Sequence, residues 1–155
     1  MQKLGIKLII YSDINTVKLR TTMKTLYIEA TAKTPLVHFD PENNLFEIKG
    51  KSIPDDAEGF YHGILDWFDD YLVRPNKETI LKIDLEYFNI SSSKRLLFLL
   101  YKLNDLNILK NTVRIKWMYN EEDEDMFEVG QDYAFMVKVP FDFISYRMES
   151  VSMVS

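Results

Sequence analysis

The sequence predicts a single α/β domain, built as a mixed β-sheet with helices packed mainly on one face. Three observations carry this reading. The chain has 155 residues, 46% of them apolar and 28% charged, with only 5 Gly and 5 Pro, a globular rather than a disordered or fibrous balance. A chain of this length buries about 70% of the surface its unfolded form exposes, enough for one core. Short β-rich runs separated by turn chemistry fill the first third, and further on two strictly alternating runs flank a helical stripe of leucines.

Residues 1–22 fit poorly with the pattern of the remaining chain. MQKLGIKLIIYSD has too short an apolar stretch for a secretory signal and no small-residue cleavage site. Met23 then opens a strand-like run, so residues 1–22 are expected to be an extension or an added edge strand at GIKLIIY. The domain itself is placed at 23–146, with a tail over 147–155. LYIEAT (26–31), PLVHFD (35–40) and LFEIKG (45–50) are separated by Lys33-Thr34-Pro35 and by Asp40-Pro41-Glu42-Asn43-Asn44, which predicts an antiparallel meander.

A helix comes next, with Ser52 as its expected cap, Pro54 in its first turn, and Asp55, Asp56 and Glu58 where the helix dipole favours anions. Ala57, Phe60, Tyr61, Ile64, Phe68, Tyr71 and Leu72 share its apolar face, and the helix should stop before Pro75. In ETILKIDLEYF, Leu81, Ile83, Leu85 and Tyr87 point one way and Lys82, Asp84 and Glu86 the other. TVRIKWMY repeats the alternation, and the helix between the two carries Leu96, Leu99, Leu100 and Leu103. Strand, helix and strand at this spacing form a βαβ crossover, right-handed by the general rule. Because each strand keeps one polar face, helices are expected on one side only, with the charged rows of the two strands pairing on the other. An acidic turn at Glu121–Asp125, a short amphipathic helix over MFEVGQDYAFMV and a last strand at VPFDFISY complete the domain.

Composition also bounds function. Cys is absent, which removes disulfides and thiolate metal sites and fits a reducing, cytoplasmic location. No run approaches the ~20 apolar residues of a membrane span, so no membrane insertion is expected. The net charge is −5. Residues 1–22 hold four cations against Asp13, a balance of +3, which leaves −8 on residues 23–155. A nucleic-acid partner needs a basic surface, whereas this body would attract a basic one.

Motifs for catalysis are missing: there is no Gly-rich phosphate loop, nucleophile elbow or zincin signature. His38 and His62 lack ligand spacing, and the acidic run lacks the glycine and ligand order of a calcium loop, so neither a metal nor a cofactor is expected. An enzyme using scattered residues such as His38 and Asp40 is the alternative from a different class. The first helix, with Tyr61, Trp67 and Tyr71, is where an aromatic partner surface is expected. The remaining feature is FNISSSK, residues 88–94. Asn89 or Ser91 suffices as a helix cap, yet four capping residues occur in five positions. A phosphate on a hydroxyl here would meet free helix N–H groups, with Lys94 and Arg95 one turn on.

From Met23 to about Phe143, the succession LYIEATAKTPLVHFD, LFEIKGKSIPDDAEGFY, IDLEYFNISSSK, VRIKWMYNEEDEDM and PFDF resembles the SiaC-type regulatory phosphoproteins of bacteria. The resemblance implies a STAS-like (anti-anti-sigma-like) fold and a protein without catalytic activity. It further implies phosphorylation by a histidine-kinase-like Ser/Thr kinase, reversal by a PP2C-type phosphatase, and binding of a diguanylate cyclase by the unmodified form. The family pattern reads Asn-Thr-Ser-Ser with threonine as phosphoacceptor. Here Asn89, Ser91 and Ser92 match, while Ile90 stands in the threonine's place. Either Ser91, or less readily Ser92, takes the role from beside it, or the switch is lost and only a binding or assembly domain remains.

Overall fold

The computed structural model describes residues 23–109 and 111–148. The expected extension, residues 1–22, and residues 149–155 of the expected tail lie outside the described residues. The elements run β1 (Leu26–Ile28), β2 (Leu36–Asp40), β3 (Leu45–Ser52), α1 (Ala57–Val73), β4 (Glu78–Phe88), α2 (Ile90–Ile108), β5 (Thr112–Asn120), α3 (Glu124–Met136) and β6 (Phe141–Tyr146). They form one six-stranded sheet in sequential order. The β1–β3 meander is antiparallel, and β3 to β6 run parallel through the three helical crossovers. The fold is the mixed, STAS-like α/β class that the sequence predicts.

Alternation decides the two faces. Phe46, Leu81, Ile115 and Phe141 lie in one register row, and this phase of the strands packs into a single core with Ile64, Phe68, Leu96, Leu99, Leu100 and Leu103 of the helices. The next row, Glu47, Lys82, Lys116 and Asp142, faces away from the helices. The expected pairing of charges between β4 and β5 does not form, because the register sets Lys82 opposite Lys116. Their strands find anions further out instead. Lys82 reaches Glu47 on β3 at 3.5 Å, and Arg114 of β5 donates to Asp142 on β6 at 2.9 Å. The Arg114 hydrogen bond holds the Asp142 carboxyl below its usual range.

Several local expectations are corrected. Asp56, not Ser52, caps α1 by accepting from Gly59 N at 3.0 Å, so Pro54 precedes the helix rather than opening it. Ser52 is the buried last residue of β3. Tyr87 points outward, 56% exposed, although parity with Leu85 predicts it inside. The cause is a bulge: Gly50 pairs with Leu85 but Lys51 with Tyr87, so the ladder skips Glu86 and every later residue of β4 changes face. Phe88 turns in and meets Trp117 with ring centroids 6.4 Å apart. Gly50 sits at the irregularity with φ +119°, a conformation that L side chains rarely adopt.

The aromatic surface expected on the first helix is likewise core. Tyr61 and Tyr71 are fully buried, and Trp67 stacks on Tyr71 and donates to the Lys24 carbonyl at 2.8 Å. On α3, Gly130 admits Trp117: a Cβ there would lie 2.5 Å from the indole nitrogen. That nitrogen is fixed by donating to the Met126 carbonyl at 3.0 Å. In the tail, Arg147 is tied back to Glu121 by an ion pair.

Candidate functional site

Because β3, β4 and β5 are parallel, their carboxyl ends share one edge of the sheet, and each hands the chain to a helix amino terminus there. Loops at this edge are where α/β sheets place sites. FNISSSK forms the middle of these three junctions. Its geometry separates the serines into different roles.

Asn89 is the helix cap. It is extended, with φ −84° and ψ 172°, and its side-chain oxygen accepts from Ser92 N at 2.8 Å. Ile90 opens α2 with its side chain 89% exposed. Ser91 is also exposed and takes no part in the capping hydrogen bond. Ser92 is fully buried, donating its hydroxyl to the Ser52 carbonyl at 3.0 Å while accepting from Ser52 Oγ at 2.8 Å. Ser93 Oγ donates to the Ile90 carbonyl at 2.7 Å, one turn back.

The Ser52 proton points to Ser92, so Tyr61 is the donor in the 2.7 Å contact between Tyr61 OH and Ser52 Oγ. Burial pushes the Tyr61 phenol up to about 12, so it retains that proton at neutral pH. Asn89 N also donates to the Ser52 carbonyl, at 3.0 Å, and Tyr133 of α3 donates to the Ser93 carbonyl at 2.8 Å. The first turn of α2 is therefore fastened to β3, α1 and α3 at once. Sequence reading missed Ser52, Tyr61 and Tyr133 as parts of this site. The signal for Ser52 was its parity with Phe46 and Ile48, which points it inward rather than leaving it free to cap a helix.

Ser91 opens into a cleft of about 370 Å³ between the starts of α1 and α2, lined also by Asp55, Asp56, Glu58, Lys94 and Arg95. Arg95 reaches Glu58 at 3.5 Å, and Asp55 is held by Lys33 at 3.1 Å. Arg95 also lies over the Phe98 ring at 5.5 Å, with Lys94 at 5.8 Å. The cleft thus brings together a free hydroxyl, a helix amino terminus, two cations and three carboxylates. It has the parts to hold a phosphate on Ser91, and a phosphate would contest Arg95 with Glu58.

The alternative enzymatic residues do not converge on it. His38 packs edge-on against Tyr27 in the β1–β2 pair, and Asp40 accepts from the Asn43 side chain at 2.7 Å in the following turn. That hydrogen bond, with help from backbone N–H groups, lowers the Asp40 carboxyl below its usual range. Among the described residues no group of His and carboxylates has the arrangement of a metal site.

Separating cap from free serine gives a direct expectation. Asn89→Ala should cost about 0.5–2 kcal/mol, the usual loss for an N-cap, whereas Ser91→Ala should stay within about 0.5 kcal/mol of the parent. Urea unfolding midpoints of the two variants measure the difference. Equal losses would mean that Ser91 shares the capping role.

Comparison with known proteins agrees with this architecture. An uncharacterized protein of Pseudomonas aeruginosa strain UCBPP-PA14 is 24% identical over 119 residues, covering 77% of this chain and 94% of its own length. The crystal structure of apo-SiaC from Pseudomonas aeruginosa superposes with a TM-score of 0.74 at 23% identity, covering 79% of this chain and all of that one. SiaC from the same organism, in complex with the diguanylate cyclase SiaD that it activates, gives a TM-score of 0.73 at 23% identity, covering 78% and 99%. At such identities the superpositions establish the shared fold. The sequence profile described as SiaC family regulatory phosphoprotein matches residues 28–146, most of the chain. On that match, the chain belongs to the SiaC family of regulatory phosphoproteins.

Proposed function

We propose that this protein is a non-catalytic, cytoplasmic signalling regulator that binds and activates a diguanylate cyclase, and that phosphorylation of Ser91 turns the association off. A Ser/Thr kinase of histidine-kinase-like type would write the mark and a PP2C-type phosphatase would erase it. The observation that carries the reading is the placement of Ser91. It is exposed, spared from capping by Asn89, and set in a cleft with Lys94 and Arg95 in a family of regulatory phosphoproteins. The partner class is supported by SiaC of Pseudomonas aeruginosa, whose structure is known in complex with the cyclase it activates. No helix among the described residues is long and apolar enough to cross a membrane.

The physics of the switch is local. A phosphate adds about −1.5 to −2 charges near neutral pH. At Ser91 it would draw on the helix N–H groups, Lys94 and Arg95, and displace Glu58 from Arg95. The surface at the start of α2 then changes from mixed to strongly acidic while the core beneath it is untouched.

The test is intact-mass analysis and site mapping after incubation with ATP and extract of the native cell, followed by partner capture with variants. Ser91→Ala should capture the partner whatever the kinase activity, and Ser91→Asp should capture it weakly. Equal capture by both variants, with no phosphate found on Ser91 or Ser92, would identify Ile90 as the mark of a lost switch.

A further inference from the structure

Two exposed apolar side chains stand at the sheet edge that carries Ser91. Tyr87, turned out by the bulge, is 56% exposed, and Ile90 three residues later is 89% exposed. Beside them the end of β4 and the start of α3 enclose a groove of about 220 Å³, whose apolar lining is Tyr87, Phe88, Met126 and Val129. Its polar lining is entirely acidic: Glu86, Asp123 and Asp125. Glu86 has only a distant cation, Lys51 at 3.9 Å, and Asp123 is turned to its capping bond with Met126 N.

Size, edge geometry and charge restrict the occupant. Small-molecule sites span roughly 300–1,000 Å³, so this groove suits one inserted side chain better than a cofactor. An added β-strand fits poorly, because β4 is interior to the sheet and its end at Tyr87 and Phe88 is already paired with Lys51 and Ser52 of β3. Three carboxylates around an apolar floor complement cations set around an apolar anchor. An amphipathic helix presents that pattern, with its anchors on one face and Lys or Arg along the margins.

We propose that the groove between β4 and α3 is the docking site for a basic amphipathic helix of the partner protein, with a large aliphatic side chain seated against Phe88, Met126 and Val129. This deepens the functional reading above by naming the chemistry of the partner's contact. It also explains how Ser91 could act on that contact: Phe88 and Ser91 are three residues apart, so their Cα atoms lie within about 11 Å. That is close to the Debye length of ~8 Å at physiological salt, so a phosphate on Ser91 is felt at Ile90 and at the near rim of the groove.

The test uses the full, unphosphorylated chain and a synthetic amphipathic helical peptide with leucines on one face and lysines on the other. Two control peptides carry the same lysines with the leucines scrambled around the helix, or glutamates in place of the lysines. Amide chemical shifts followed during titration should move at Tyr87, Phe88, Met126 and Val129, for the first peptide alone. Val129→Lys should weaken that binding at least tenfold, and Asp125→Lys should weaken it and flatten its salt dependence. Because Ser91 is unmodified throughout, success or failure here is independent of whether Ser91 is a switch. Shifts elsewhere, none at all, or equal binding of the scrambled or glutamate peptide would overturn the proposal. So would self-association of the chain that Val129→Lys abolishes, which would assign the groove to a second copy.

Discussion

Ser92→Asp should unfold or severely destabilise the protein, while Ser91→Asp, one residue away, should leave it folded. Ser92 is fully buried and its hydroxyl donates to the Ser52 carbonyl and accepts from Ser52 Oγ. An ionised carboxylate in its place loses the donor and faces a carbonyl oxygen, and no cation is among the hydrogen-bond partners of Ser92. Uncompensated buried charge of this kind costs about 3–5 kcal/mol, a large part of the 5–15 kcal/mol that holds a typical domain together. Desolvation would raise the folded-state pKa of that carboxyl above its unfolded value near ~3.9. The folded state then binds the proton more tightly, so the destabilisation should be small below about pH 4 and grow as pH rises. Urea unfolding across that range measures it. Ser92→Asp with parental stability at neutral pH would show that the first turn of α2 opens readily, and would return Ser92 to consideration as a phosphoacceptor.

Leu100→Ala should lower stability by about 2–5 kcal/mol, the range for truncating a fully buried leucine. Leu100 lies on the inner face of α2 with Leu96, Leu99 and Leu103, all at zero exposure. It belongs to the same core as Ile83 and Ile115 of the two strands that flank the crossover. Neither strand has a flexible polar side chain on that face to fill the void, and a rigid helix cannot collapse into it alone. Thermal unfolding should fall by roughly 6–20 °C. The measurement has a functional side. Ser91 rides on the same helix, so partner binding by the folded fraction should survive the truncation if the first turn is held locally by Ser52, Tyr61 and Tyr133. A change below 0.5 kcal/mol would show that the packing face of α2 has been misassigned.

The sequence by itself determined the class of fold, the order of its elements and the sidedness of the sheet. Those depend on periodicity, which is written residue by residue: alternation in ETILKIDLEYF and TVRIKWMY leaves one polar face, and the leucine spacing of α2 faces the other. It also singled out the segment 89–95 as a candidate site, because four capping residues in five positions exceed what one helix end requires. What it could not do was rank those residues, since Asn89, Ser91 and Ser92 are equivalent by type. Only tertiary structure assigned them, by bringing Ser52 and Tyr61 from 40 and 31 residues away to bury Ser92, and by leaving Ser91 in a cleft made with the start of α1. The same holds for Tyr87. Its outward turn results from a register shift against β3, and pairing register is a relation between two strands that neither strand's own sequence specifies. The charged rows show it again: which cation meets which anion was decided by alignment of Lys82 with Lys116, a matter of how three crossovers set the strands side by side. Local pattern fixes what a segment is, and packing between distant segments fixes which of its side chains remain available for function.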